Sequence, residues 1–302
     1  MRQARVIPAA GPRPIRIRRT LRWLLTRGPL YAHILVLSVV FGFPFFWTVS
    51  TSLKTAPELG VFPPLLLPEV PQWGNYVKVF TLFRYPVGRW FINTSFLVVM
   101  STLGTVISAM LVAYGFARFR FRGKNLLFVI TLGTMMLPSQ VTLIPQFLLF
   151  HRMGWVNTFK PLWVPSWFGG GAFNIFLLRQ FFMTLPMEFD EAAKIDGAGH
   201  WRILWTVLMP LCKPVLATVG IISFMANWND FMGPLVYLNQ PLKYTISVGL
   251  RFFSENPDSA YGEPLRHILM AATVLSILPC LAIFFAGQTY FVRGIIMSGI
   301  KG

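Results

Sequence analysis

Four of the ten acidic residues of this sequence lie in one short stretch: Glu188, Asp190, Glu191 and Asp196. Carboxylates so close together can cap a helix through its dipole, or they can make an ionic contact with a basic partner. Lys194 is the basic residue among them, four positions after Asp190, in the order that favours a helical ion pair. Both are binding or capping functions, not catalysis. The stretch is therefore predicted to be either a binding site for a partner protein or a solvated helix end.

Residue types that could catalyse a reaction are scattered. The histidines occupy four separate positions, namely His33, His151, His200 and His267. The two cysteines, Cys212 and Cys280, lie in apolar surroundings and indicate packing positions. No spacing among these residues predicts a metal site, a catalytic triad or a disulfide framework, so we expect neither an enzyme nor a metal-binding protein.

A nucleotide-binding loop is also missing from the sequence. Gly123 and Lys124 have the order of the end of a phosphate-binding loop, but Arg118 stands where its first glycine belongs and Asn125 follows the lysine. We therefore expect this chain to hydrolyse no ATP and to bind no nucleotide or other cofactor itself.

The composition places these residues in a membrane protein. The chain has 302 residues, of which 55% are hydrophobic and 12% charged, and its mean hydropathy is +0.59. Six stretches lack Lys, Arg, Asp and Glu: residues 28–53, 90–117, 125–150, 161–178, 214–229 and 267–292. Because a membrane span needs about 20 apolar residues, these stretches predict six transmembrane helices. The fourth and fifth reach full length if Arg179 and Lys213 extend toward the headgroups.

The positive charge of the chain sets its expected orientation. Six spans place both termini on one side, and that side receives most of the 27 Lys and Arg residues, including eight Arg in the first 28 residues. The positive-inside rule therefore predicts that the N-terminus and the C-terminus are cytoplasmic. Basic residues beside a first span attract anionic lipid headgroups, so the net charge of +17 does not indicate binding to nucleic acid.

The acidic residues belong to a predicted pair of short helices in a loop of about residues 185–207, here named the acidic segment. Pro186 fits the first position of its first helix, and Gly197 fits a left-handed stop after it. In the second helix, the spacing of Trp201, Leu204 and Trp205 predicts a shared face.

An ordered set of residues in and around this segment resembles a known family. The residues are Glu191-Ala192-Ala193, then Gly197 after three positions, then Val207-Leu208-Met209-Pro210 after nine more, with Asp196 completing a longer form. They resemble the EAA loop of permease subunits of binding-protein-dependent ATP-binding-cassette (ABC) importers, in which Ile and Leu usually stand where this chain has Val207 and Met209. The similarity covers nearly the whole chain and is strongest to the maltose-type carbohydrate permeases.

The resemblance implies an all-α integral membrane protein with the type I ABC importer permease fold and cytoplasmic EAA coupling helices. Residues 1–28 would be a basic cytoplasmic segment, 29–292 the six-span permease domain and 293–302 a cytoplasmic tail. The ATPase-coupling residues would be Glu191, Ala192, Ala193, Asp196, Gly197 and Pro210. Glu191 would make the ionic contact, the two alanines would pack closely against the ATPase, and Gly197 would form the bend.

The resemblance also implies an assembly in a bacterial or archaeal cytoplasmic membrane. A second permease, in a heterodimer, would enclose the path, and two ABC ATPase subunits would carry the ATP and Mg²⁺. An extracytoplasmic sugar-binding protein would deliver an oligosaccharide, touching the loop at about residues 236–264.

The fourth predicted span contains Gly169-Gly170-Gly171, which weakens the helix. A broken helix in a membrane marks either a substrate path or a close packing face between helices, and the sequence leaves both open. Aromatic and amide side chains near it that suit sugar contacts are Trp167, Phe173, Asn174 and Asn227, although no spacing selects among them. The alternative function is a self-contained secondary transporter or channel, a class that usually carries ionisable residues within its spans.

Overall fold

The computed structural model describes residues 16–81, 86–255 and 265–299, and the regular secondary structure in these ranges is helical. Fourteen α-helices follow one another: α1 Arg16–Ser52, α2 Gly74–Thr81, α3 Val87–Arg118, α4 Lys124–Gly133, α5 Ser139–Arg152, α6 Lys160–Trp163, α7 Ala172–Thr184, α8 Glu188–Ile195, α9 His200–Arg202, α10 Met209–Leu211, α11 Lys213–Trp228, α12 Met232–Tyr237, α13 Ile246–Glu255 and α14 Arg266–Gly299. Short 3₁₀ helices and a π-helix join some of them.

Three of these helices are long and apolar enough to cross a membrane alone. They contain Arg27–Ser52, Val87–Arg118 and Arg266–Gln288, and they match the first, second and sixth predicted spans. Within the described ranges, these single helices do not reach the predicted number of six.

The third and fifth predicted spans are bent. The third divides into Lys124–Met136 and Ser139–Arg152, at an angle of 99°. The fifth divides into His200–Leu211 and Lys213–Trp228, at 82°, so the chain before Lys213 is not a straight continuation of α11. Pro138 precedes α5 and Pro214 stands at the start of α11, where a proline suits a first turn and disfavours an uninterrupted helix.

The fourth predicted span is a broken one. Helix α6 and a 3₁₀ helix at Val164–Phe168 lead to the three glycines, and α7 starts only after them. Gly170 and Gly171 have φ angles of +63° and +79°, which other residues adopt only with strain. With 13 residues, α7 is too short to cross the hydrocarbon core alone.

Helix α3 is the central helix of the bundle. It packs against α7, α11 and α13, whereas α1 packs against α14 and leaves most of its apolar side chains between Leu30 and Phe46 exposed. Exposed leucine and phenylalanine side chains along a long apolar helix fit a surface in contact with lipid. The inner residues of the bundle form two apolar clusters, one toward each end of α3.

At one end, polar groups of α3 hold the segment that precedes α13. Asn93 Nδ2 donates hydrogen bonds to the carbonyl oxygens of Leu242 and Tyr244, at 2.9 and 3.0 Å. The backbone N–H of Ile246 donates to Thr94 Oγ1 at 2.8 Å. These bonds satisfy buried polar groups of both partners, so this end of α3 and the segment form one structure.

The segment between α1 and α2 is also ordered. The Glu58 carboxylate accepts hydrogen bonds from the Thr55 hydroxyl and the Glu69 backbone N–H, each at 2.8 Å. A hydrogen bond from the Thr55 backbone N–H lowers the pKa of Glu58 below its usual value. Lys54 Nζ lies 4.4 Å from the centroid of the Trp47 ring, and burial lowers the pKa of this lysine. This segment is therefore folded against the end of α1.

Two predicted boundaries fall inside helices. Helix α1 begins at Arg16, within the basic segment assigned to residues 1–28, and α14 continues to Gly299, within the tail assigned to 293–302. The start of the basic segment and the last residues of the tail lie outside the described residues.

Candidate functional site

The acidic segment forms two short helices joined by a bend. Helix α8 begins at Glu188, two residues later than the expected start at Pro186, and it ends at Ile195. Gly197 follows with φ +77°, and the Ala198 N–H donates to the Ala193 carbonyl oxygen at 2.9 Å. The predicted left-handed stop at Gly197 is confirmed, because this backbone bond closes the helix end as such a stop requires.

A buried ion pair fastens α8 to α3. Arg118 Nη2 lies 3.2 Å from Asp190 Oδ2, and each of the two side chains is only 4% exposed. The expected helical pair of Asp190 with Lys194 is therefore wrong: Asp190 turns inward to Arg118, and Lys194 stays at the surface. A buried carboxylate needs a cation close by, since burying one charge alone is costly.

Further hydrogen bonds hold the acidic segment on both sides of the bend. The Arg118 guanidinium donates to the Leu185 carbonyl oxygen through Nη1 and Nη2, at 3.1 Å each. Tyr114 Oη donates to the His200 carbonyl oxygen at 3.3 Å. The last turns of α3 thus contact the start of α8 and the start of α9, which fixes the orientation of the segment relative to α3.

This function of Arg118 was not predicted from the sequence, where the residue was considered only at the position of the first glycine of a nucleotide-binding loop. A distinguishing signal was present: Arg118 is the first charge after the apolar stretch, in phase with Tyr114 on one face of the helix. The partner could not be found from local spacing, since Asp190 is distant in sequence.

The predicted coupling residues divide between two faces of the segment. Glu191, Ala192, Asp196 and Pro210 are exposed. Ala193 is buried in the apolar cluster with Leu178 and Leu208, so it packs within this chain. Both alanines were predicted to pack closely against an ATPase, but only Ala192 is exposed.

The outward face also carries large apolar side chains. Phe189, Ile195 and Trp201 are 44%, 87% and 68% exposed. Exposed apolar side chains next to exposed carboxylates are typical of a surface that binds another protein.

The second helix differs from its expected amphipathic pattern. Leu204 is fully buried, whereas Trp201 and Trp205 are exposed, so the three side chains do not share a face. The reason is a π-helix at Ile203–Leu208, whose wider turn shifts the side chains away from the α-helical period used for the prediction.

A large open cavity lies beside the glycine break. Its volume is about 760 Å³, within the range of small-molecule sites. Helices α3, α4, α7 and α11 all contribute to its wall, together with the 3₁₀ helix before the glycines. Gly170 lies against α3, where an added Cβ would collide with the Ala109 backbone nitrogen.

The structure brings three of the four predicted path residues to this cavity. Phe173, Asn174 and Asn227 line it. Trp167 does not line the cavity, because its indole packs on Gly104 of α3. A Cβ added at Gly104 would be 2.5 Å from Trp167 Cδ1. The sequence left open whether the glycines mark a substrate path or a close packing face. In the structure they border a cavity and also permit close packing between helices.

Trp228 and Asp230, at the end of α11, make hydrogen bonds within this chain. Trp228 Nε1 donates to the Ser276 carbonyl oxygen at 3.0 Å, and Asp230 Oδ1 accepts from the Gly233 N–H at 3.1 Å. Burial raises the pKa of Asp230. Across residues 16–81, 86–255 and 265–299, no group of three metal-ligating side chains is close enough to hold an ion.

Comparisons with known proteins agree with this architecture. A family model for the inner membrane component of binding-protein-dependent transport systems matches residues 104–297. The chain is 30% identical over 288 residues to the arabinooligosaccharides transport system permease protein AraQ of Halalkalibacterium halodurans, covering 93% of this chain and 97% of that protein. It is also 30% identical over 280 residues to the trehalose/maltose transport system permease protein MalG of Thermococcus litoralis, covering 92% and 98%.

Among solved structures, a crystal structure of a bacterial ABC transporter involved in the import of the acidic polysaccharide alginate superposes with a TM-score of 0.79 and 25% identity. The match covers 92% of this chain and 100% of that chain. The resemblance and the predicted all-α permease fold are confirmed, though not the count of six spans, and the family model spans the acidic segment, the cavity and most of α14. This chain belongs to the family of inner membrane components of binding-protein-dependent transport systems.

Proposed function

We propose that this chain is one permease subunit of an ATP-driven importer of carbohydrate, which forms half of the translocation path and couples it to ATPase subunits. The observation that carries the proposal is the acidic segment, which is fixed to α3 on one face and exposes carboxylate and apolar side chains on the other. Because the segment is held firmly on α3 and its other face is exposed, a partner that binds this face could move α3 with it.

The partners follow from this assignment. A second permease completes the path, and two ABC ATPase subunits carry the ATP and Mg²⁺ that this chain has no loop to bind. A sugar-binding protein supplies the cargo from outside. The N-terminus and the C-terminus are cytoplasmic, as the distribution of basic residues supports.

Helix α3 gives the coupling a physical route. Its last turns hold the acidic segment, and residues earlier along it, Thr105 and Val112, line the cavity. A displacement of α8 by an ATPase would move α3, and with it one wall of the cavity. The cavity is thus the proposed half-path, with Phe173, Asn174 and Asn227 in its wall.

The carbohydrate assignment is supported by the relatives, which are named for arabinooligosaccharides and for trehalose and maltose. A self-contained secondary transporter is less favoured. Such a protein needs ionisable groups in its spans to bind a coupling ion, and the cavity wall described here carries none.

The direct test is uptake by proteoliposomes that contain the whole transporter, with ATP inside and a loaded binding protein outside. We expect Glu191→Lys to lower the initial uptake rate at least about 30-fold, since reversing one partner of an interface ion pair costs about 2 kcal/mol or more. Glu191 is exposed, so this chain should fold and insert into the membrane normally. Membrane levels are measured alongside by quantitative blotting.

The matched control is Glu69→Lys, which makes the same charge change at an exposed position in the segment between α1 and α2, outside the acidic segment. It should leave uptake within about twofold of the wild type. Equal uptake by the Glu191 and Glu69 variants, at equal membrane levels, would refute the coupling assignment. ATP-independent uptake by the wild type would refute the importer assignment.

A further inference from the structure

The wall of the cavity contains polar groups among apolar ones but carries no charge. Of the described side chains that line it, none belongs to Lys, Arg, His, Asp or Glu. Five hydroxyl groups contribute to it, those of Thr105, Thr131, Thr134, Ser166 and Ser223. The hydroxyl hydrogens of Thr131 and Thr134 are used inside the chain, because Thr131 donates to Leu127 O at 2.8 Å and Thr134 donates to Thr131 O at 2.6 Å. Their oxygens remain able to accept hydrogen bonds.

The two amides of the wall are oriented by the backbone. Asn174 Nδ2 donates to the Gly170 carbonyl oxygen at 2.8 Å, and Asn227 Nδ2 donates to the Ser223 carbonyl oxygen at 2.7 Å. Since a carbonyl oxygen can only accept, the nitrogen of each amide must face it. Asn174 Oδ1 is left buried without a hydrogen-bond partner in the chain. A buried acceptor without a partner indicates a place where a ligand or water must donate.

Three cations on the helices that form the wall are engaged elsewhere. The Arg118 guanidinium pairs with Asp190, and Lys124 Nζ donates to the Phe119 carbonyl oxygen at 2.9 Å. The Arg179 guanidinium lies 4.1 Å from the centroid of the Phe128 ring. None of these side chains reaches the wall, although Arg179 follows Asn174 by only about 7.5 Å along the helix axis.

This distribution separates two kinds of cargo. A carbohydrate hydroxyl both donates and accepts, so neutral amides and hydroxyls can satisfy it, and Phe173 offers an apolar face for the ring. A carboxylate or phosphate that leaves water needs a compensating cation, and this wall provides only neutral groups.

We propose that the cargo of this transporter is an uncharged carbohydrate, and that sugar acids and sugar phosphates are disfavoured by this chain's half of the path. The inference rests on the proposed importer function and narrows it to a substrate class. The proposed cargo differs in charge from that of the solved transporter, which is involved in the import of the acidic polysaccharide alginate.

The test uses the complete transporter in lipid nanodiscs without the binding protein, so that only the path selects. Equilibrium binding is measured with neutral oligosaccharides of two to five units and with uronate oligosaccharides of the same length and linkage. We expect the preferred neutral compound to bind at least about tenfold more tightly than its uronate counterpart. Asn227→Lys should lower this ratio by about tenfold, whereas Asn227→Gln, which is uncharged, should leave it unchanged.

The outcomes are distinct from those of the coupling test. Equal or tighter binding of the uronates, or of sugar phosphates, would overturn the inference while ATP-driven uptake continued to support an importer. A ratio unmoved by Asn227→Lys would overturn it as well, because Asn227 would then not face the cargo. Binding of none of these compounds, together with uptake of none of them from a loaded binding protein, would overturn the proposed carbohydrate function itself.

Discussion

The variant Arg118→Ala is expected to lose transport and much of its folding stability. The change leaves the Asp190 carboxylate buried without its cation, and the two side chains are each only 4% exposed in the native pair. Removing one partner of such a pair costs about 3–5 kcal/mol, because the remaining charge stays out of water. The variant also loses both hydrogen bonds to the Leu185 carbonyl oxygen, so α8 should detach from α3. Thermal unfolding of the purified transporter and ATP-driven uptake in proteoliposomes measure the two effects.

A double variant distinguishes the loss of a compensating charge for Asp190 from a general loss of packing at this site. Arg118→Met together with Asp190→Leu removes both charges and keeps the site filled with apolar side chains, a change that is often neutral or stabilising for buried pairs. We expect the double variant to recover most of the stability that Arg118→Ala loses. If Arg118→Ala and the double variant unfold at the same temperature, the stability of this junction does not depend on the ion pair.

The second large effect is expected at the glycine break. Gly170→Ala forces a residue with a Cβ into φ +63° and drives that Cβ into the Ala109 backbone of α3. Strain of this kind costs about 1–3 kcal/mol, and overpacking in a tight contact costs about as much again. Because the clash lies in the wall of the cavity, we expect both the melting temperature and the cargo affinity to fall.

Gly169→Ala is the matched control for this variant. Gly169 has φ −171° and ψ −23°, outside the left-handed region of Gly170, and a Cβ there would meet no atom within 4 Å. It should therefore keep the stability and affinity of the wild type to within about 0.5 kcal/mol. Similar losses in both alanine variants would indicate that flexibility of the whole glycine run, and not the contact of Gly170 with α3, determines the structure.

Much of the architecture could be predicted because it depends on composition and local order. Apolar stretches without charge identified α1, α3 and α14, since the membrane penalises charge wherever the chain folds. Gly197 and the glycine run were predicted from backbone permissiveness, which is a property of the residue itself. The family resemblance came from an ordered motif, Glu191-Ala192-Ala193 with its following glycine.

What could not be predicted depends on pairs of residues far apart in the sequence. The contact of Arg118 with Asp190 joins two helices separated by several others, and no local rule selects one carboxylate from the neighbouring three. The same limit applies to Trp167, which was predicted to face the path but packs on Gly104. The side chains of α9 and its π-helix were misplaced for a different reason, since a π-turn changes the period on which the prediction was based.

The central claim is that the acidic segment is the docking element for an ATPase subunit, and site-specific photo-crosslinking tests it most directly. A benzophenone amino acid is placed at Ile195, which is 87% exposed on α8, and a control probe at Trp73, which is 69% exposed beside α2. In membranes that contain the whole transporter, the probe at Ile195 should crosslink to an ATPase subunit, and the probe at Trp73 should not. An ATPase adduct from Trp73, or none from Ile195 in an assembled transporter, would contradict the account.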